Sequence, residues 1–177
     1  WANPASVHRD GQRARRHIEE AREAVATLVG RPAVDVTLTS GGTEANNLAL
    51  AQPFVGDAPM EAGSLLLTRL EHPSVVGVAE GLRARGVDVH FVSVREDGRI
   101  DVDELAARMN ACSKVALVSL QAVNHETGVI QPVSEVASLV QQRGGLLHVD
   151  AVQAVGRLEA SSWASADWIT VAAHKMR

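Results

Sequence analysis

The chain alternates repeatedly between two hydrophobic periods, and that alternation leaves few folds open to it. Apolar residues recur every three or four positions over residues 11–29, 43–51, 73–85, 102–110 and 133–143, which predicts helices there. Between them, short runs rich in Val, Leu and Ile predict strands near 36–39, 65–68, 87–94, 115–120, 146–149 and 168–171. Strands that are apolar throughout, each followed by a helix, belong to a mostly parallel sheet covered on both faces. The expected fold is therefore α/β, a three-layer αβα arrangement. Punctuation agrees: Gly30, Gly86 and Gly144 stand where helices should stop, Pro32 follows the first stop, and Asp101 with Glu104 resembles a capping box. There is no internal repeat, low-complexity tract or linker.

At 177 residues, 46% hydrophobic and 21% charged, the chain suits one substantial core. Its net charge of -4 argues against a general nucleic-acid binder. The basic cluster at residues 13–17 could mark a phosphate-backbone patch, but Arg15 falls one turn from Glu19 and Arg16 one turn from Glu20, as on a solvated helix face. With no charged-then-apolar leader and no long apolar run, neither a signal peptide nor a membrane span is expected. A lone cysteine, Cys112, excludes an internal disulfide framework and fits a reducing cytoplasm. No metal site is predicted.

In a parallel sheet ligands bind outside the carboxyl ends of the strands, so the residues after each strand carry the functional information. Lys175 and Asp150 stand just past two such ends, and a buried amine with a buried carboxylate there points to pyridoxal phosphate (PLP). That cofactor needs a lysine for its aldehyde, as a Schiff base, and an acid for its pyridine nitrogen. Ser40-Gly41-Gly42-Thr43-Glu44 opens a helix with two glycines and a hydroxyl, which suits an anion and equally a tight turn with Thr43 as cap. It is not a P-loop. His72 precedes Pro73 at a helix start, where an imidazole also serves as a cap. Asn124-His125-Glu126-Thr127-Gly128, Gln153 and His174 complete the set, the first of these being compatible with a plain loop.

At these residues the chain resembles the cysteine desulfurase branch of the class V aminotransferases, which are fold-type-I PLP enzymes. The motifs run in order: residues 3–11, from Asn3-Pro4 to Gly11; residues 39–49, around Gly41-Gly42-Thr43-Glu44; then Glu71-His72, residues 123–128, residues 148–153 and His174-Lys175. The resemblance implies that residues 1–177 are most of a PLP-binding large domain, cut after the Schiff-base lysine, with a C-terminal small domain absent. It implies that Lys175 binds the cofactor covalently, Asp150 pairs with the pyridine nitrogen, and His72 stacks on the ring. Gln153, with His125 nearby, would meet the phenolic oxygen, while Gly42, Thr43 and His174 would hold the phosphate.

The implied activity converts L-cysteine to alanine and a persulfide, with Lys175 as the base at the α-carbon, a possible sulfur-acceptor protein, a role in iron–sulfur cluster assembly, and a homodimer as the working form. Cys112 is a poor persulfide carrier. It joins a helix to the amino end of a strand, and about six residues at roughly 3.3 Å each set it about 20 Å from the site. The family's nucleophilic cysteine would lie beyond the lysine. Three sites, five positions in all, depart from the family pattern: His125 replaces an asparagine, Ala172-Ala173 a Ser-Gly pair, and Met176-Arg177 an aromatic residue followed by glycine. A selenocysteine lyase, transaminase or epimerase of the same fold therefore remains open, as does a non-catalytic scaffold.

Overall fold

The protein is described here from a computed structural model covering residues 2–55 and 63–176; Arg177, one of the departing positions, lies outside them. Two compact units divide the chain, Trp1–Leu38 and Thr39–Arg177.

The first unit is built on helix α1, Arg9–Val29. His8 caps it, with Nδ1 accepting from the backbone N–H of Gly11 at 3.2 Å. Gly30 closes it in the left-handed region at φ 72°, where a glycine is needed. Ahead of the helix the Asn3 side chain accepts from Ala5 N at 2.9 Å, and its carbonyl accepts from Ser6 N at 3.0 Å. Gly11 packs so tightly under this turn that a Cβ there would lie 2.8 Å from the Asn3 carbonyl and closer still to that of Ser6. The motif of residues 3–11 is thus a hook that anchors the start of α1.

One expectation holds in this unit and one fails. The basic cluster lies on a solvated helix face, with Arg13, Arg15 and Arg16 exposed, and two acids of that face pair at i,i+3, Glu19 with Arg22 at 3.2 Å and Glu20 with His17 at 3.1 Å. The predicted strand at 36–39 does not form among the described residues. A 3-10 turn, Ala33–Asp35, precedes it, and the Val36 carbonyl accepts from the Arg22 guanidinium instead of from a strand neighbour. Leu38 is left 47% exposed, as expected of an apolar strand pattern with nothing paired to it.

The second unit holds a five-stranded, wholly parallel sheet: β1 (Ser64–Thr68), β2 (Val89–Val92), β3 (Val115–Gln121), β4 (Leu146–Asp150) and β5 (Trp168–Thr170), in the order β2-β1-β3-β4-β5. Its helices are α2 (Gly42–Ala51), α3 (Pro73–Ala84), α4 (Val102–Ala111) and α5 (Val133–Gln142). Right-handed crossovers put α4 and α5 on one face, because β2 to β3 and β3 to β4 advance in the same direction. The step from β1 to β2 runs the other way, so α3 covers the opposite face, with α2 packed beside it. The three-layer expectation therefore holds within this unit.

Strand alternation feeds both cores. Leu65, Leu67 and Leu117 meet Leu50, Phe54, Val75, Ala79 and Leu82 on the α2/α3 face. Leu66, Val118, Leu120, Leu147 and Val149 are buried on the other. Each fully buried Leu contributes roughly 1.5–3 kcal/mol. Only half of the capping box forms: Asp101 accepts from Glu104 N at 3.0 Å, but the Glu104 carboxylate turns to Ser93 N at 3.0 Å.

Gly11→Ala should unfasten the hook, since the methyl group has no free volume and backbone carbonyls cannot yield as a flexible side chain would. Hydrogen exchange at the first turns of α1 should accelerate by tenfold or more, corresponding to roughly 1–3 kcal/mol of overpacking. Unchanged exchange there would show that the turn does not hold the helix.

Candidate functional site

At the carboxyl edge of the sheet in the second unit lies a cavity of about 280 Å³. Gly42, Thr43, His72, His125, Asp150, Gln153, His174 and Lys175 all line it. Every site residue expected from the sequence is therefore brought to one place. Asp150, Asn46 and Gln121 form a buried floor, while Thr43, His72, His125, His174 and Lys175 stand exposed around the rim.

The floor is organised by Asp150 at the end of β4, only 7% exposed. Its Oδ1 accepts from Val152 N at 3.0 Å and its Oδ2 from the Asn46 amide at 2.9 Å. The second Asn46 N–H goes to Ser74 Oγ at 3.0 Å, and Ser74 Oγ lies 2.7 Å from His72 Nδ1. A continuous hydrogen-bonded chain therefore links the carboxylate to the imidazole. Among the described residues no cation pairs with Asp150, and Asn46 Oδ1 is buried without a partner.

His72 is both a cap and a wall of the cavity. Its Nδ1 accepts from Ser74 N at 3.1 Å at the start of α3, which leaves the proton of a neutral ring on Nε2. His125 meets it edge to face, with ring centroids 5.2 Å apart. The loop carrying His125 is fixed by Asn124, whose Oδ1 accepts from Glu126 N at 3.0 Å and Thr127 N at 2.8 Å. Asn124 and Gln121 also donate to the Leu70 carbonyl, at 3.1 and 2.8 Å, and so fasten the loop that presents His72.

The start of α2 points its free N–H groups at the same edge. Glu44 sets the turn by accepting from Ser40 N and Ser40 Oγ, both at 2.6 Å. The Ser40 hydroxyl above all, then its N–H, hold the Glu44 carboxyl below the usual range. Gly42 packs closely: a Cβ there would sit 3.3 Å from a Val152 methyl, which would have to give by a few tenths of an ångström, and 3.6 Å from Ala172, an ordinary contact.

Lys175 and His174 lie in a 3-10 turn, Ala173–Lys175, just past β5. Here the expectation of a buried amine fails. Lys175 is exposed, because the turn carries it out from the sheet end and no described residue covers it.

Two further ionisable groups lie beneath the site, both within motifs noted in the sequence but given no role there. Glu71 is 3% exposed, and burial first, then the charge of Asp150, drive its pKa well above 4.5. Its Oε1 accepts from Thr68 Oγ1 at 3.1 Å, while Oε2 is unpartnered. His148 is fully buried, which lowers its pKa to about 3. It bridges Ser119 Oγ at 2.9 Å and Thr170 Oγ1 at 3.0 Å across three strands. Asn46 and Ser74 were also missed. They sit in ordinary helix sequence, and only the tertiary fold brings Asn46 to Asp150, 104 positions away.

The model of the aminotransferase class-V family matches residues 1–177. A cysteine desulfurase of Nostoc sp. is 36% identical over 177 residues, covering 99% of this chain and 43% of that protein. Among solved structures, DndA from Streptomyces lividans superposes with a TM-score of 0.83 at 36% identity, over 98% of this chain and 48% of that one. SspA in complex with cysteine gives a TM-score of 0.87 at 26% identity, over 99% and 50%. The chain spans less than half the length of the curated relatives it matches. It belongs to the class-V aminotransferase family, and its relatives and structural neighbours place it with the cysteine desulfurase branch.

Asn46→Leu should cost about 1.5–3 kcal/mol, the loss of a hydrogen bond to a buried charge, read by urea unfolding. A smaller cost than for the exposed Asn47→Leu would remove Asn46 from its supporting role. Glu71 carries its raised pKa only when folded, so the unfolded chain releases that proton first. The stability it confers is full below about pH 4.5 and is lost as pH rises through the folded value. Glu71→Gln, which imitates the protonated acid, should flatten that decline, and a slope identical to wild type would show that Glu71 ionises normally.

Proposed function

We infer that this class-V family chain carries the PLP-binding large domain of a cysteine desulfurase, with the small domain outside the chain. The observation that supports this best is a buried carboxylate without a countercharge, facing a cavity whose rim carries a free lysine and a helix start. A protonated pyridine nitrogen would supply the missing charge for Asp150, and the α2 N-terminus suits a phosphate.

In this reading Lys175 would hold the cofactor's aldehyde end, Asp150 its ring nitrogen, and His72 the ring face. Gly42, Thr43 and His174 would bind the phosphate, with Gln153 and His125 at the phenolic oxygen. When bound, the cofactor supplies an electron sink for charge developing at the substrate's α-carbon. The protein's share is positional and electrostatic. Asn46 and Val152 N fix the Asp150 carboxylate, and Ser74 fixes the His72 tautomer with its Nε2 proton free to donate. Lys175 Nζ, exposed at the rim, is the base available to take the α-proton.

L-cysteine is the proposed substrate, supported by the desulfurase relatives and by a structural neighbour that holds cysteine. Alanine and a persulfide would be the products, passed to a sulfur-acceptor protein for iron–sulfur cluster assembly, in a cytoplasmic homodimer. Cys112 is not the persulfide thiol, because it stands at the amino edge of the sheet. A second reading, a sister class-V enzyme such as a selenocysteine lyase or transaminase, is favoured by His125 in place of asparagine. Formation of alanine and sulfide from L-cysteine by the full-length protein separates the two.

Borohydride reduction of the full-length holoprotein followed by peptide mapping should tag Lys175; a tag on Lys114 or no tag at all refutes the assignment. Asp150→Asn should retain cofactor yet lose roughly two orders of magnitude in turnover, since an amide cannot match the charge. Wild-type turnover in that variant would refute the role of Asp150.

A further inference from the structure

At the opposite, amino edge of the sheet a second cluster stands apart from the cavity. Asp88, His90 and Cys112 bring a carboxylate oxygen, an imidazole nitrogen and a thiol sulfur within 4.8 Å of one another. Asp88 immediately precedes β2 and His90 lies within it, so the two side chains, two positions apart in extended backbone, fall on one side. Cys112 is the C-terminal cap of α4, where the chain turns toward the amino end of β3.

We propose that these three side chains form a binding site for a divalent transition metal ion of the zinc type, with a fourth position open to water. Sulfur and imidazole donors select borderline ions over calcium or magnesium, and three protein ligands with one open position is a common zinc arrangement. The site is already partly ordered. Asp88 Oδ2 accepts from Ser64 Oγ at 2.7 Å and lies 2.7 Å from His90 Nε2. Ser64 therefore stands where an outer partner that orients a ligating carboxylate belongs. Bonds of about 2.0–2.3 Å to a tetrahedral ion set neighbouring donors roughly 3–4 Å apart, so closure needs side-chain movement of about an ångström. Carboxylate and thiolate together balance a double positive charge. The carbonyl end of α4 adds a partial negative charge at the same point. Asp88 is exposed and the other two are half-buried, which leaves an entry path.

The test is a titration of cobalt(II) into the full-length protein under a non-chelating reductant, read as a difference spectrum. One equivalent per chain should bring up a thiolate-to-cobalt charge-transfer band and tetrahedral d–d bands, and zinc should abolish both. Cys112→Ser should lose the charge-transfer band, and His90→Ala and Asp88→Asn should weaken binding by tenfold or more. Ser64→Ala should weaken it by roughly tenfold as well. Asp88 is exposed, so that variant cannot fail through loss of packing, and circular dichroism confirms that the others fold. No band in the wild type, a band undiminished in Cys112→Ser, or affinity unaltered in Asp88→Asn would each overturn the site.

Discussion

A carboxylate cannot be taken out of water cheaply, and the second unit is arranged around the way Asp150 is kept there. Its desolvation costs several kcal/mol, whereas two hydrogen bonds to a charged acceptor return roughly 1.5–3 kcal/mol each. The donors, Asn46 and Val152 N, therefore roughly offset the cost without a surplus. Because one of them comes from α2 and the charge from β4, the same bond that makes Asp150 tolerable docks the helix. That docking aims the Gly42–Thr43 helix start over the strand ends, where the missing Cβ of Gly42 lets the helix approach Val152. Through Ser74 the constraint continues to His72, so the charge and the imidazole are positioned as one unit.

The groups below the cavity keep that charge isolated. His148 titrates near 3, so at neutral pH it is an uncharged bridge between Ser119 and Thr170 and offers Asp150 no cation. Glu71 is pushed the other way, toward its protonated form, partly because Asp150 already holds the negative charge. Two residues that could compete with the carboxylate are held near neutrality by burial. What faces the cavity is then a single anion on a buried floor, with the exposed groups confined to the rim.

Much of this was legible in the sequence because a parallel sheet converts chain order into spatial convergence. Each strand ends on the same edge, so His72, His125, Asp150 and Lys175 could be grouped from their positions after predicted strands alone, whereas Thr43 joined them through a strand expected at 36–39 that does not form. What holds Asp150 in the floor was not legible. Asn46 and Ser74 carry no periodicity signal, and nothing local says that an amide in α2 will meet a carboxylate 104 residues later. The exposure of Lys175 escaped for a related reason, since a strand end fixes where a residue sits and not what covers it. The strand expected at 36–39 shows the limit of periodicity itself. Its alternation is real, but Arg22 takes the Val36 carbonyl and no described strand pairs with it.

The same topology gives the two edges opposite electrical character. Helices returning between parallel strands start at the carboxyl edge and end at the amino edge, so N–H groups collect at one and carbonyls at the other. At the carboxyl edge the free N–H groups of α2 favour an anion. At the amino edge α4 ends on Cys112, and its last carbonyls lie beside a thiol, an imidazole and a carboxylate that favour a cation. A buried anion at one edge and a cluster of metal-type donors at the other are thus two consequences of one helix direction. The amino edge has no strand-end grouping to make it conspicuous, because its residues precede a strand, lie within one or close a helix rather than follow strands. That is why Asp88 and His90 on one segment and Cys112 on another read as unrelated until the sheet assembles them.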